Sequence, residues 1–240
     1  MDINAKALHF KDLNEKLKNT TDIDIVIDEC NGQRYIASGQ KGKNIIINGV
    51  PGNALGSYLN GCTIRVYGNA QDATGDTMND GTIYVHGNSG DACGYAMRGG
   101  KIFIRDNAGY RTGIHMKQYK DKKPVIVIGG SAGSFLGEYL AGGIIIVLGL
   151  NCKDTPPVGN FCGTGMHGGK IYLRTNHLPQ DLPKQVIARE ATEDDMEEIK
   201  GYIEEYCQEF GKDKESILNA NFFCLIPDTK NPYKQMYTHN

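Results

Sequence analysis

The stretch Ile64–Met116 reads IRVYGNAQDATGDTMNDGT, IYVHGNSGDACGYAMRGGK and IFIRDNAGYRTGIHM, two full copies and most of a third of one nineteen-residue unit. Counted from the first apolar residue of each copy, the unit begins at Ile45, Ile64, Ile83, Ile102, Ile126 and Ile145, with a partial seventh copy at Ile171. The spacings are 19, 19, 19, 24, 19 and 26 residues. Self-similarity at a fixed period of this size marks a stack of repeats, because one copy cannot bury its apolar side until neighbours cover it.

Each position of the unit has a reading. The origin and the residue two further on are aliphatic, as in Ile64 and Val66, Ile83 and Val85, or Ile145 and Val147, which predicts a strand with one buried face. Arg65, Tyr84, His86, Arg105, Tyr172 and Arg174 are expected on the other face. Four residues after the origin, Gly49, Gly68, Gly87, Gly130 and Gly149 suggest a corner that needs positive φ. Eleven residues after it stand Gly56, Gly75, Gly94, Gly113, Gly137 and, past an insertion, Gly163; these call for a special backbone angle or a site with no room for a side chain. Three residues later come Leu59, Met78, Met97, Met116, Leu140 and Met166, a core column in which unbranched side chains fill irregular space.

Strand, corner, short second strand and glycine turn predict a mainly β fold, a right-handed parallel β-helix of about seven coils. At ~4.8 Å per coil the rod would be roughly 30 Å long. Hexapeptide β-helices of acyltransferases are excluded, since their coils come in multiples of six.

The 240 residues carry 26 basic and 28 acidic side chains spread along the chain, which points away from nucleic acid and from anionic membranes as partners. The start, MDINAKALHFKDL, lacks a signal pattern, and the apolar run Gly143–Leu150 is too short to span a bilayer, so a cytoplasmic protein is expected. Seven cysteines without a CxxC pair read as reduced and mostly buried. Three segments are expected: residues 1–44 as a helix and hairpin capping the stack, 45–176 as the repeat body, and 177–240 as a helical and extended tail packed upon it. Leu8, Leu13 and Leu17 have helical spacing, and Ile23–Ile27 with Arg34–Ala37 suggest the hairpin. Near the other end, Thr192 with Asp195 forms a capping box, Met196, Ile199, Ile203, Tyr206 and Phe210 make one stripe, and Gly211 stops the helix. This helix is expected to cover an open edge of the stack.

Motifs that would carry chemistry are weak. Gly163, Gly165 and Gly168 spell GxGxxG, but a proline loop precedes and the strand KIYLR follows, whereas a dinucleotide site needs a strand before and a helix after. His115, Met116, Met166 and His167 fall at offsets that point to different faces, so no metal site is assigned. Asp194 with Asp195, and Glu204 with Glu205, read as a self-solvating helix face. Two insertions, Lys117–Pro124 with four lysines and a loop over Asn151–Asn160, are candidates for contact with partners.

The segments NGVPGNALGSYLNG, GNAQDATGDTMNDGTIYVHG, GYRTGIHMKQY, GEYLAGGIIIVLG and GTGMHGGKIYLR, with the ending NPYKQMY, resemble the GXGXG domain at the C-terminus of the glutamate synthase alpha subunit. The likeness covers nearly the whole chain. In that family, glutaminase chemistry belongs to an amidotransferase domain with an N-terminal cysteine, and reduction of 2-iminoglutarate to a barrel carrying FMN and an iron–sulfur cluster. The resemblance therefore implies a non-catalytic scaffold in glutamate biosynthesis. It implies no catalytic, cofactor-binding or metal residues in this chain, with FMN and the cluster on partner polypeptides and self-association possible. A second resemblance is to the glycine-repeat C subunit of formylmethanofuran dehydrogenase; a separate protein-binding module is the third reading.

Overall fold

The structure is a computed structural model that describes residues 1–228; the ending NPYKQMY lies outside the described residues. Eleven strands form one open sheet in the order β1-β2-β3-β4-β5-β6-β7-β8-β9-β11-β10. The first nine pair in parallel: β1 (Asp2–Asn4), β2 (Asp24–Asn31), β3 (Asn44–Val50), β4 (Asn60–Tyr67), β5 (Asp80–Val85), β6 (Lys101–Ile104), β7 (Val125–Ile128), β8 (Ala141–Val147) and β9 (Gly168–Arg174). The last strand among the described residues, β11 (Phe222–Pro227), runs antiparallel between β9 and β10 (Val186–Glu190).

The register sets the repeat origins side by side, so Ile25, Ile45, Ile64, Ile83, Ile102, Ile126, Ile145 and Ile171 form one unbroken row. All of them are buried. Leu59, Met78, Met97, Met116, Leu140 and Met166 are also fully buried in the same core. Parallel strands demand crossovers, and from β3 to β9 each crossover contains a glycine turn hydrogen-bonded to its neighbours: Gly75 N–H donates to the Leu55 carbonyl and Gly94 N–H to that of Thr74. A second, one-residue-wide ladder links Ala70, Ser89, Ala108, Ala132 and Val158 in parallel.

The turns reveal a rule that the period alone does not. In each, three alternate residues are left-handed: Ala73, Gly75 and Thr77, or Arg111, Gly113 and His115. Only the middle one is regularly glycine, because it alone faces the core. At Gly137, with φ of 64°, a Cβ would sit 2.7 Å from Ile171 Cδ1, so angle and space both demand glycine.

Four expectations need correction. The corner glycines do not share a positive φ: Gly68, Gly87 and Gly130 lack it. Gly68 is needed because a Cβ there would collide with the Gly49 carbonyl of the neighbouring coil. Second, no hairpin precedes the stack. β2 pairs in parallel with β3, and Tyr35, Ala37 and Gly39 adopt the left-handed alternation of the turns, so residues 24–40 form an additional strand-and-turn repeat. Its origin Ile25 lies twenty residues before Ile45 owing to a bulge between Ile27 and Cys30, and Ala37 with φ of 60° occupies the glycine position. Third, the N-terminal helix α1 spans only Phe10–Asn19, with Leu13 and Leu17 buried, while Asp2–Asn4 is the edge strand β1. Finally, the outer face of the sheet is not solvated, as the next element shows.

Helix α2 (Glu193–Phe210) starts at the Thr192–Asp195 capping box and ends at Gly211, left-handed with φ of 63°. Rather than covering an edge, it lies across the outer face from β9 back to β4. Eighteen residues at 1.5 Å each give a span of ~27 Å, close to the ~24 Å across five strand spacings. Ile199, Ile203 and Tyr206 bury against Phe103, Val127, Ile146 and Tyr172 as a second core. The short helix α3 (Lys214–Leu218) adds Ile217 to it.

Candidate functional site

The chemistry-bearing residues gather under α2 and on the turns. Along α2, acids meet the outer face of one strand after another. Glu209 accepts from Arg65 Nε at 3.0 Å and lies 3.0 Å from His86 Nε2. Glu205 accepts from Tyr84 Oη at 2.8 Å and pairs with Lys101. Glu198 accepts from Lys123, Lys170 and Tyr172 at 2.8 to 2.9 Å. Asp195, 2 % exposed, takes Lys170 at 2.9 Å, Arg189 and its own cap residue Thr192. Asp195 and Glu205 are thus pairing groups and not part of a self-solvating face. A buried carboxylate stripped of water is tolerated only when cations and donors surround it.

Electrostatics follow from this packing. Burial alone would push the Asp195 carboxyl up, but hydrogen bonds from Arg189, the Thr192 backbone and Lys170 hold it well below the usual carboxylate range. Glu198 is held at about 2 by Lys123, Lys170 and Tyr172 against the same desolvation. Burial, reinforced by neighbouring acids, pushes the Tyr84 and Tyr172 hydroxyls up. Neither acid is poised to exchange a proton near neutral pH.

The cysteines are spread through the fold. All seven are free thiols and six are buried, Cys152 being half-buried. Burial pushes Cys30, Cys93 and Cys224 up to about 11 and Cys162 to about 12, so the thiolate form needed of a nucleophile is suppressed.

Gly163 and Gly165 sit in the turn that leads into β9, and Gly168 is the first residue of that strand. Gly165 lies beneath the Tyr139 ring, 2.6 Å from where a Cβ would be, and Gly168 would strike the Ala141 carbonyl. Met116 and Met166 are buried in the core, whereas His115 is exposed and stacks on Tyr139 at 5.1 Å. No group of three or more His, Cys, Asp or Glu is placed to hold a metal among the described residues.

The outward left-handed positions of the turns build a surface that the sequence reading did not foresee. Arg111 lies 4.9 Å over Phe135, which stacks on Phe161 at 5.1 Å, and Tyr95 meets His115 edge-on. Tyr58, Tyr95, Tyr110 and Phe161 are each 40 % exposed or more. Arg111, Phe135 and Phe161 each stand two residues before a turn glycine, at Gly113, Gly137 and Gly163, and that shared place in the unit was the available signal. Polar columns run beside them. Asn69 Oδ1 accepts from the Asn88 N–H and Asn88 Oδ1 from the Asn107 N–H, while Asp72 and Asp91 do the same one column away. Of the insertions, Lys122 and Lys123 turn back to Asp80 and Glu198 of this chain, each at 2.8 Å. Between α2 and α3 an open cleft of about 610 Å³ is lined by Ala191, Met196 and Leu218 and rimmed by Glu197, Lys200 and Lys214.

Eleven largely parallel strands, crossovers made of glycine turns and a helix-covered outer face define a glycine-repeat β protein. Residues 7–228 match the model of the GXGXG motif family, and the chain belongs to that family, which is that of the C-terminal domain of the glutamate synthase alpha subunit. It is 50 % identical to the uncharacterized protein MJ1350 of Methanocaldococcus jannaschii, over 98 % of this chain and 95 % of that one. A chain in the crystal structure of the formyltransferase/hydrolase complex of Methylorubrum extorquens, solved with methylofuran, shares the fold with a TM-score of 0.65. That likeness covers 87 % of this chain and 75 % of the other at 20 % identity. No helix among the described residues is long and apolar enough to cross a membrane.

Proposed function

We propose that this chain is a non-catalytic scaffold subunit of a glutamate synthase-type oxidoreductase, which moves the amide nitrogen of glutamine to 2-oxoglutarate. Its part is to hold the amidotransferase and the FMN/iron–sulfur polypeptides in register in the cytoplasm. Membership of the GXGXG family over residues 7–228 carries the reading. Support comes from the use of the repeated residues in packing and from the surface row of exposed Arg111, half-buried Phe135 and exposed Phe161, since aromatic side chains and arginine are enriched where proteins meet.

In this reading the sheet, the glycine turns and the one-residue ladder close into a right-handed parallel β-helix over residues 24–176, one repeat longer at its start than the period alone gives, with residues 1–23 at one end and α2 laid along its outer face. The loops Lys117–Pro124 and Asn151–Asn160 and the outward side of α2 are the surfaces buried in the assembly. The fold shared with a chain of the formyltransferase/hydrolase complex favours a second reading, a scaffold of the formylmethanofuran dehydrogenase C type.

Co-purification of the tagged full chain, with identification of what binds, tests both. The expected result is a colourless isolated chain that recovers an amidotransferase and an FMN-barrel polypeptide, with glutamine-dependent amination of 2-oxoglutarate in the complex alone. Yellow or brown isolated protein, absorbing between about 350 and 500 nm as flavin and iron–sulfur centres do, overturns the scaffold reading. Formyltransferase or hydrolase partners select the second.

A further inference from the structure

The sheet ends at β10, beyond which no strand pairs among the described residues. In an antiparallel pair, alternate residues direct their backbone groups toward the neighbour and away from it. Ala191 N–H donates to the Phe222 carbonyl and Asp228 N–H to the Gln185 carbonyl, while the register sets Ile187 opposite Ile226 and Arg189 opposite Cys224. Odd-numbered residues therefore face β11, and Val186, Ala188 and Glu190 face outward. Pro227, which has no N–H, stands opposite Val186, as this alternation requires.

Some of the outward groups are already used. Val186 N–H donates to the Pro183 carbonyl, and the Glu190 carbonyl accepts from Arg189 Nη1. What remains among the described residues is the N–H of Ala188 and of Glu190, and the carbonyl of Val186 and of Ala188. On a two-fold axis through Ala188 this set is its own complement. Each Ala188 N–H meets the Ala188 carbonyl of the other copy, and each Glu190 N–H meets the other copy's Val186 carbonyl. The groups that such a pairing would leave idle are the two already satisfied inside the chain.

The side chains agree with that register. It sets Ile187, 42 % exposed and flanked by the partly buried Ile226, opposite Arg189 of the other copy, whose stem can cover it. The charge of each Arg189 is already balanced by Asp195, so two arginines near the axis do not repel as bare cations. The opposite edge of the sheet offers no equivalent: β1 has three residues, two of them the exposed Asp2 and Asn4. A long edge with an exposed aliphatic residue is otherwise what natural sheets avoid.

We propose that β10 is the seam of a homodimer in which two copies join their sheets edge to edge, antiparallel about Ala188. The test is the mass of the full chain by light scattering and sedimentation across a dilution series, for the parent and two variants. Ala188→Pro removes an outward N–H and leaves every bond to β11; Ile187→Lys places a charge at the seam on a residue already exposed. The parent is expected to be a dimer that dissociates on dilution. Ala188→Pro, which deletes two of the inter-copy hydrogen bonds, should weaken association by about tenfold or more, and Ile187→Lys should weaken it too, both with the thermal melt of the parent when compared as monomers. A parent that is monomeric at every concentration overturns the proposal, whether water, a foreign strand or the chain's own residues 229–240 cover the edge. So does a dimer that both variants leave intact. Neither result bears on the partners named above.

Discussion

The two faces of the sheet are made from alternate residues of the same strands, yet they differ in how they repeat. On the inner face one isoleucine row runs unchanged from Ile25 to Ile171, and each member touches its counterpart one coil away. On the outer face the corresponding row reads Val26, Ile46, Arg65, Tyr84, Phe103, Val127, Ile146 and Tyr172. It changes from coil to coil because α2 crosses it once and presents a different residue to each strand. A repeat records contacts between copies of itself. Contacts with an element that occurs once leave no period.

If that contrast is right, inner-face substitutions should cost more than outer-face ones. The largest effect is expected for Gly94→Val, which forces a branched side chain into a turn at φ of 69° and against Ile126 Cδ1. Strain and overpacking together should cost roughly 4 kcal/mol or more, read from a denaturant melt. Met97→Ala should follow, opening a cavity in the same column at a cost of roughly 3 kcal/mol; a variant as stable as the parent would disprove the column. Asp195→Ala breaks the outer network at its most buried point. Lys170 and Arg189 remain about one third exposed and can turn to water, so the loss should be nearer ~2 kcal/mol than the value for a fully enclosed pair. A loss exceeding that of Gly94→Val would reverse the ranking of the faces.

The smallest effect is a dependence on pH. The folded Glu198 carboxyl, at about 2, lies below its unfolded value of ~4.3, so it stabilises the fold fully above that unfolded value. This stabilisation is lost as the pH falls from about 5 to about 2. The melting temperature should decline over that window, and Glu198→Gln should flatten the decline. An unchanged slope would mean that the pairs of Glu198 with Lys123 and Lys170 contribute nothing net.

Much of the inner face was legible for the same reason that it is costly to alter. Isoleucine, glycine and methionine recur because each coil imposes the same space on the next, and six turns have Gly at the position that faces the core. The coil at Ile25 escaped notice because a bulge lengthened its spacing and Ala37 took the glycine site. The corner glycines were recognised but for the wrong reason: a neighbouring carbonyl, not a backbone angle, excludes a side chain at Gly68. The acids of α2 were misread because their partners lie far off in the chain, Lys101 being 104 residues before Glu205. Helical spacing told which α2 side chains share a stripe, but not what that stripe meets.

The path of α2 also bears on how the molecule comes apart. A row of repeats held only by their neighbours can fray from either end, one repeat at a time. Here the bond from Arg65 to Glu209 joins residues 144 apart, and with the bond from Lys170 of β9 to Asp195 at the other end of α2 it straps the fourth strand to the ninth. Strands beneath the strap cannot peel away singly without first lifting the helix. Amide exchange should therefore report β4 through β9 as one cooperative opening unit, with β1 to β3, outside the strap, exchanging sooner.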